Sequence, residues 1–314
     1  MRIENNCSIF TLRWCLVLSR TGIDMVRRLL FFGSLLVFNS CTKNESAPSW
    51  LKIDHFDLTS IAAFEGENSQ NITDAWIYMD GQAIGVFELP CKVPILAEGT
   101  HNFTIYAGVK ENGISDTRVK YPFYTSWQGD IDLVKDDTVE VNPDITYKSG
   151  LNFSLLEDFE DAGIDLGADP ISDTPFVFIY ESIDPDIVEW GDKCGGVFLT
   201  ATDTLFKALT SLDMDLPQGG SPVWLEIDYM NSNSIAMGVI DEGPSGTNVH
   251  GLLVLLNSQE ASQAKWKKIY INLTDDVSYY VSATSFEIYL LALLDDANPS
   301  GAFIYMDNIK IVHQ

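Results

Sequence analysis

At 314 residues the chain is long enough for two domains of ordinary size, and with 46% hydrophobic and 20% charged residues it reads as globular rather than disordered. Its 19 Lys and Arg stand against 45 Asp and Glu, a formal net charge of −26, which repels phosphate backbones and excludes a nucleic-acid binder. Five cysteines without a C-x-x-C pair and four histidines without H-E-x-x-H exclude zinc ribbons, disulfide-dense miniproteins and the common zinc hydrolases.

Residues 1–24 carry mixed charges and a short apolar stretch; they read as an extension upstream of the true start, because a complete signal begins at Met25. Arg27 and Arg28 form a positive region, and Leu29 to Phe38 an apolar run. Ten helical residues rise only about 15 Å, half the hydrocarbon thickness, so residues 25–40 predict a cleaved signal helix and not a membrane span. The run ends at Asn39, Ser40 and Cys41. This arrangement resembles the signal of bacterial lipoproteins, in which the cysteine thiol is acylated and becomes the first mature residue. Phe38 and Asn39 depart from the small aliphatic residues usual there, as they do in lipoproteins of the Bacteroidota. The resemblance implies lipidation at Cys41, and with it a protein anchored to the outer membrane through N-terminal acyl chains, facing the periplasm or the cell surface. Removal of residues 1–40 takes away five arginines and two acids, which leaves 14 basic against 43 acidic groups. Such a body is repelled by anionic lipid, so the acyl chains must do the anchoring. Residues 41–49 form a short polar tether without apolar periodicity.

From Trp50 onward, short alternating runs separated by Gly, Asn, Asp and Pro predict an all-β chain in two blocks, 50–148 and 151–314. In the first, Ala75–Met79 and Ala83–Phe87 flank Asp80-Gly81, a strong hairpin signal. Together with the following P-I-L-A-E-G-T-H-N-F-T-I-Y-A-G, this hairpin resembles PEGA and other Ig-type modules, which implies a sandwich used as a spacer or contact surface. His101 reads as a satisfied histidine at the sandwich edge.

The second block has strand candidates at Val223–Tyr229, Ile235–Ile240, Leu252–Leu256, Trp266–Leu273 and Phe286–Leu294. Its opening L-L-E-D-F-E-D-A-G and its closing F-I-Y-M-D-N-I-K-I resemble the first and last strands of the galactose-binding-like jelly roll of carbohydrate-binding modules. In that family a calcium ion often ties those strands together. The resemblance places it on Glu160 and Asp307, with Asp158 or Glu157 as an extra ligand, in a structural role that suits hard oxygen donors. Strand parity supplies a second candidate: with Val223, Leu225 and Ile227 facing the core, Trp224, Glu226 and Asp228 share the other face. A ring beside two carboxylates is suited to sugars, stacking on their C–H face and accepting from their hydroxyls. Tyr289 on Phe286–Leu290 repeats the pattern, and Trp190 reads as a loop aromatic at a binding rim.

These residues predict a non-catalytic envelope lipoprotein that binds a glycan. Two alternatives remain open. A structural or assembly lipoprotein docking on an outer-membrane partner predicts a flat apolar patch. A glycoside hydrolase would use Glu226 and Asp228, whose Cα atoms two apart on a strand lie about 7 Å from each other. Cys91 and Cys194 fall in different blocks and are either paired or buried thiols.

Overall fold

In the computed structural model, which describes residues 47–314 apart from Leu212 and Ser245, Asp80 and Gly81 adopt φ of 51° and 77°. Positive φ at both central residues is what a tight hairpin turn requires, and the turn joins Asp74–Met79 to Gln82–Glu88 as the dipeptide predicts. Asn112 and Gly113 reverse the chain in the same way, with φ of 54° and 71°, between Gly99–Lys110 and Arg118–Lys120. His101 secures the first turn, its Nδ1 2.7 Å from the Asp80 carboxylate. The extension 1–24, the signal 25–40 and Cys41 lie outside the described residues. Among the described residues no helix is long and apolar enough to cross a membrane.

The described residues form one compact unit of almost entirely β structure. The first block holds a five-stranded sheet ordered Gln82–Glu88, Asp74–Met79, Gly99–Lys110, Arg118–Lys120, with Trp127–Leu133 also paired to Gly99–Lys110. Against it lie a three-stranded sheet, in which Ser49–Ile53 sits between Cys91–Ile95 and Thr138–Glu140, and a two-stranded one. Alternation puts Ala75, Ile77, Phe103, Ile105 and Leu51 into the core between them.

The second block is a jelly-roll sandwich of two six-stranded sheets. The inner sheet runs Val177–Tyr180, Lys193–Leu199, Ala302–His313, Val223–Asn231, Lys267–Asn272, with Asn152–Glu157 beside Ala302–His313. The first and last strands of the block therefore pair, antiparallel, as their sequences suggest. The outer sheet is built on Leu205–Thr210, Ser285–Leu293 and Ile235–Gly243. Leu225, Ile227 and Ile311 from one sheet meet Val239, Ile288 and Leu290 from the other in a closed core.

One irregularity sets the rest. In Ala302–His313 the register against Val223–Asn231 shifts, so that Glu226 faces Lys310 while Asp228 faces Asp307. The bulge falls at Asn308, whose φ of 47° is a conformation asparagine tolerates. Met306 and Ile309 thus both reach the core, and Asp307 and Lys310 both reach the opposite face. Cys91 and Cys194 are free thiols. Burial, with the Asp307 charge nearby, pushes the Cys194 thiol up to about 12.

Candidate functional site

The parity argument holds for Trp224, Glu226 and Asp228, but their face is not open. The first block covers it. Trp224, Tyr270 and Val312 of the inner sheet belong to the same apolar cluster as Tyr121, Tyr124 and Tyr147, and Trp224 meets Tyr121 edge-on at 5.4 Å. Glu226, with 0% of its surface exposed, accepts from the hydroxyls of Tyr121 (2.5 Å) and Tyr147 (3.0 Å) and pairs with Lys268 at 3.1 Å. Lys268 also reaches Asp228 at 3.4 Å, and Asp228 accepts from Ser69. Lys310 donates to the main-chain oxygen of Glu65 at 2.5 Å. Buried charge is stable only when paired and hydrogen-bonded in this way. Burial drives the Glu226 carboxyl up, yet Lys268, Lys310 and the Tyr121 hydroxyl outweigh it and hold the group below its ordinary value. Trp224 and Glu226 are therefore seam residues and not a sugar platform. The same burial removes the hydrolase reading of Glu226 with Asp228, since no glycosidic bond can reach between them.

Tyr289 lies elsewhere, on the outer sheet, buried across Gly238 with its hydroxyl donating to the His250 carbonyl at 3.2 Å. A Cβ at Gly238 would stand 2.4 Å from that ring. Gly238→Ala is expected to cost about 1–3 kcal/mol, read as a lowered midpoint in urea; an unchanged midpoint would contradict the close packing.

Glu160 and Asp307 were the pair expected to hold calcium. Asp307 is 1% exposed, with Oδ1 accepting from the Asn308 amide at 2.7 Å and Oδ2 without a partner. Glu160 Oε1 accepts from the amides of Asp192 (2.8 Å) and Lys193 (2.9 Å). The Lys193 ammonium sits 2.8 Å from the main-chain oxygens of both Glu160 and Asp161. Glu157 spends both oxygens on the amides of Phe159 and Asp165, and Asp158 accepts from the Glu160 amide. Among the described residues no three His, Cys, Asp or Glu side chains are grouped to hold a metal. The free Asp307 oxygen is the one feature of the expected bridge that the geometry supplies.

Trp190 and Asp228 do come together, in a cleft of about 460 Å³ beside the covered face. The loop 181–192 presents Trp190 between Val177–Tyr180 and Lys193–Leu199. Val188, buried, pins this loop, and Gly191 at φ +63° packs on Glu160, where a Cβ would meet a carboxylate oxygen at 2.3 Å. The opposite wall is Trp266, ahead of the edge strand Lys267–Asn272, its Nε1 donating to the Ile187 carbonyl at 2.7 Å. The two half-buried rings meet at 5.5 Å and 72°. Exposed Asp186 and Glu189 and half-buried Gln70 supply polar groups around them, and Lys265 and Lys267 complete the rim. Rings that present apolar faces beside carboxylates and an amide are suited to a polyhydroxylated ligand. Trp266 was legible only as a strand residue; its neighbours Lys265, Lys267 and Lys268, a basic run in an acidic chain, were the available signal.

No protein-family model and no curated protein matches the chain. Among solved structures it is similar to the CBM22-1 and GH10 modules of a Clostridium thermocellum endo-1,4-beta-D-xylanase, complexed with xylohexaose (11% identity, 52% of this chain and 28% of that chain, TM-score 0.37). It is also similar to the CBM22-1 xylan-binding domain of a Paenibacillus barcinonensis protein (14% identity, 51% and 93%, TM-score 0.33). A third is the family 11 carbohydrate-binding module of a Clostridium thermocellum cellulosomal cellulase (12% identity, 53% and 97%, TM-score 0.35). The chain spans about 28% of the length of the first. Likenesses this distant carry no function to this chain.

Proposed function

We propose that the protein is a non-catalytic binding module for a glycan, which it holds in the Trp190–Trp266 cleft. The observation that carries the reading is the pair of half-buried indoles converging on a cleft with Asp186, Glu189 and Gln70 around it. The N-terminal signal and Cys41 support a lipid-anchored place in the outer membrane, and the hairpin resemblance supports a PEGA-like first block. The anchor has its own test: Cys41→Ser releases the protein from the membrane fraction, and persistence there would rule the lipid out.

Glycan arrays probed with the soluble chain from residue 42 test the ligand. Trp190→Ala should weaken binding of the best glycan about tenfold or more while leaving the thermal midpoint within a few degrees, since its ring is half-exposed. Binding that survives Trp190→Ala would move the site elsewhere. If nothing on the arrays binds, the assembly reading gains ground, because Leu255 and Leu293 stand 50% and 61% exposed on the outer sheet.

A further inference from the structure

The Trp190–Trp266 cleft does not end at the tryptophans. A second, smaller chamber of about 150 Å³ shares Lys267 and Lys268 with it and runs on toward the Asn112-Gly113 turn of the first block. Tyr229 and Ile269 are among its lining residues, and Asn71, Lys110 and Gly113 close it from the first block. The two adjoining chambers, taken together as a groove, have walls from both blocks.

The charge of this second chamber is opposite to that of the protein. No carboxylate lines it, although the chain carries 45 acids against 19 bases. Among the described residues, the Lys and Arg side chains in ion pairs are Lys52, Arg118, Lys207 and Lys268. Lys110 and Lys267, both among the residues that line the chamber, are not among them. The neighbouring Glu111 is committed to the Asn272 amide at 2.5 Å. Two uncompensated ammonium groups beside an aromatic ring present a point-charge site for an anion attached to a stackable body. At ordinary ionic strength screening acts over about 8 Å, so the lysines that line the chamber weigh most there, with Glu111 beside it and Asp186 and Glu189 in the adjoining cleft as the acids to be overcome.

We infer that the groove binds a uronic-acid-bearing polysaccharide, with one sugar against the Trp190–Trp266 pair and the carboxylate of a neighbouring sugar held by Lys110 and Lys267. This rests on the glycan reading and narrows it to an acidic chain bound along its length.

The test uses a panel of uronate-containing polysaccharides, each paired with its carboxyl-reduced form, and the soluble chain from residue 42. The native protein should bind the acidic member roughly three- to tenfold more tightly, as two exposed charge pairs allow, and the preference should shrink in 1 M salt. Lys110→Gln, outside the Trp190–Trp266 cleft, should shrink the preference and leave binding of the reduced polymer unchanged; adding Lys267→Gln should erase the preference, whereas Trp190→Ala should weaken both. Equal binding of acidic and reduced members, or a preference that survives the double substitution, overturns the uronate assignment while the glycan reading stands. Absence of binding to every member overturns both.

Discussion

Replacing Lys268 by methionine is expected to cost about 3–5 kcal/mol, because it strands two carboxylates in a place water does not reach. Lys268 is the only ammonium within ion-pair distance of both Glu226 and Asp228 among the described residues. It lies directly opposite Asp228 in the ladder between Lys267–Asn272 and Val223–Asn231. Burial opposes its charge, but Asp228 and Glu226 raise its affinity for the proton well beyond that. In the methionine variant Glu226 keeps only the tyrosine hydroxyls and the field of Lys310, and Asp228 keeps Ser69. For a body of this size the cost reads as a thermal midpoint lower by about 10 °C. Asp228→Asn made in the same chain should recover part of it, a coupling of about 1–3 kcal/mol between the two sites. A loss below about 1 kcal/mol in Lys268→Met, followed by calorimetry, would mean the seam is not closed to solvent.

The second large effect is a dependence of stability on pH that belongs to Asp307. Burial, and after it the charges of Asp228, Asp158 and Glu160, push its carboxyl up to about 9, against the help of the Asn308 amide. In the unfolded chain the same group titrates near 4. Between those values the unfolded form has released a proton that the folded form still holds. The contribution of this group is therefore intact below about pH 4 and drains away as pH rises toward 9, on the order of 7 kcal/mol in all. Asp307→Asn keeps the shape and removes the titration. In EDTA it should match the native protein at pH 4 and exceed it by several kcal/mol at pH 8, as measured by urea unfolding across that range. Parallel curves for the two proteins would refute the assignment. Millimolar calcium adds a second arm. An ion seated on Asp307 and Glu160 would ionise Asp307, stabilise the native protein at pH 8 and leave the asparagine variant behind.

Much of this architecture was legible because its signals are local. Asp80-Gly81 demands its turn whatever surrounds it, and the alternation of Val223, Leu225 and Ile227 fixes which side of that strand is buried. Parity says which residues share a face, but not what covers the face. Trp224, Glu226 and Asp228 have the composition of a sugar platform, and a seam between two β blocks uses the same residue types for another end: aromatic area to bury and charges that pair only in one register. The deciding partners, Ser69, Tyr121 and Tyr147, lie between 79 and 159 positions away. The cleft was half visible. Trp190 announced itself as a loop aromatic, whereas Trp266 and Gln70 join it only through tertiary folding. The bulge at Asn308 left a trace that went unread: strict alternation in Y-M-D-N-I-K-I would set Asp307 on the face of Ile309 and Ile311, and Met306 beside Lys310.

The covered face bears on how this chain can be taken apart. A cut between Lys148 and Leu151 would leave the later part with Trp224, Tyr270 and Val312 bared to water beside two lysines and two acids that had lost their hydroxyl and main-chain partners. Such a fragment would be both sticky and internally strained by its own charge. The groove would lose the wall formed by Gln70, Asn71 and Lys110 as well. Detachability has here been given up: the two parts travel together or not at all.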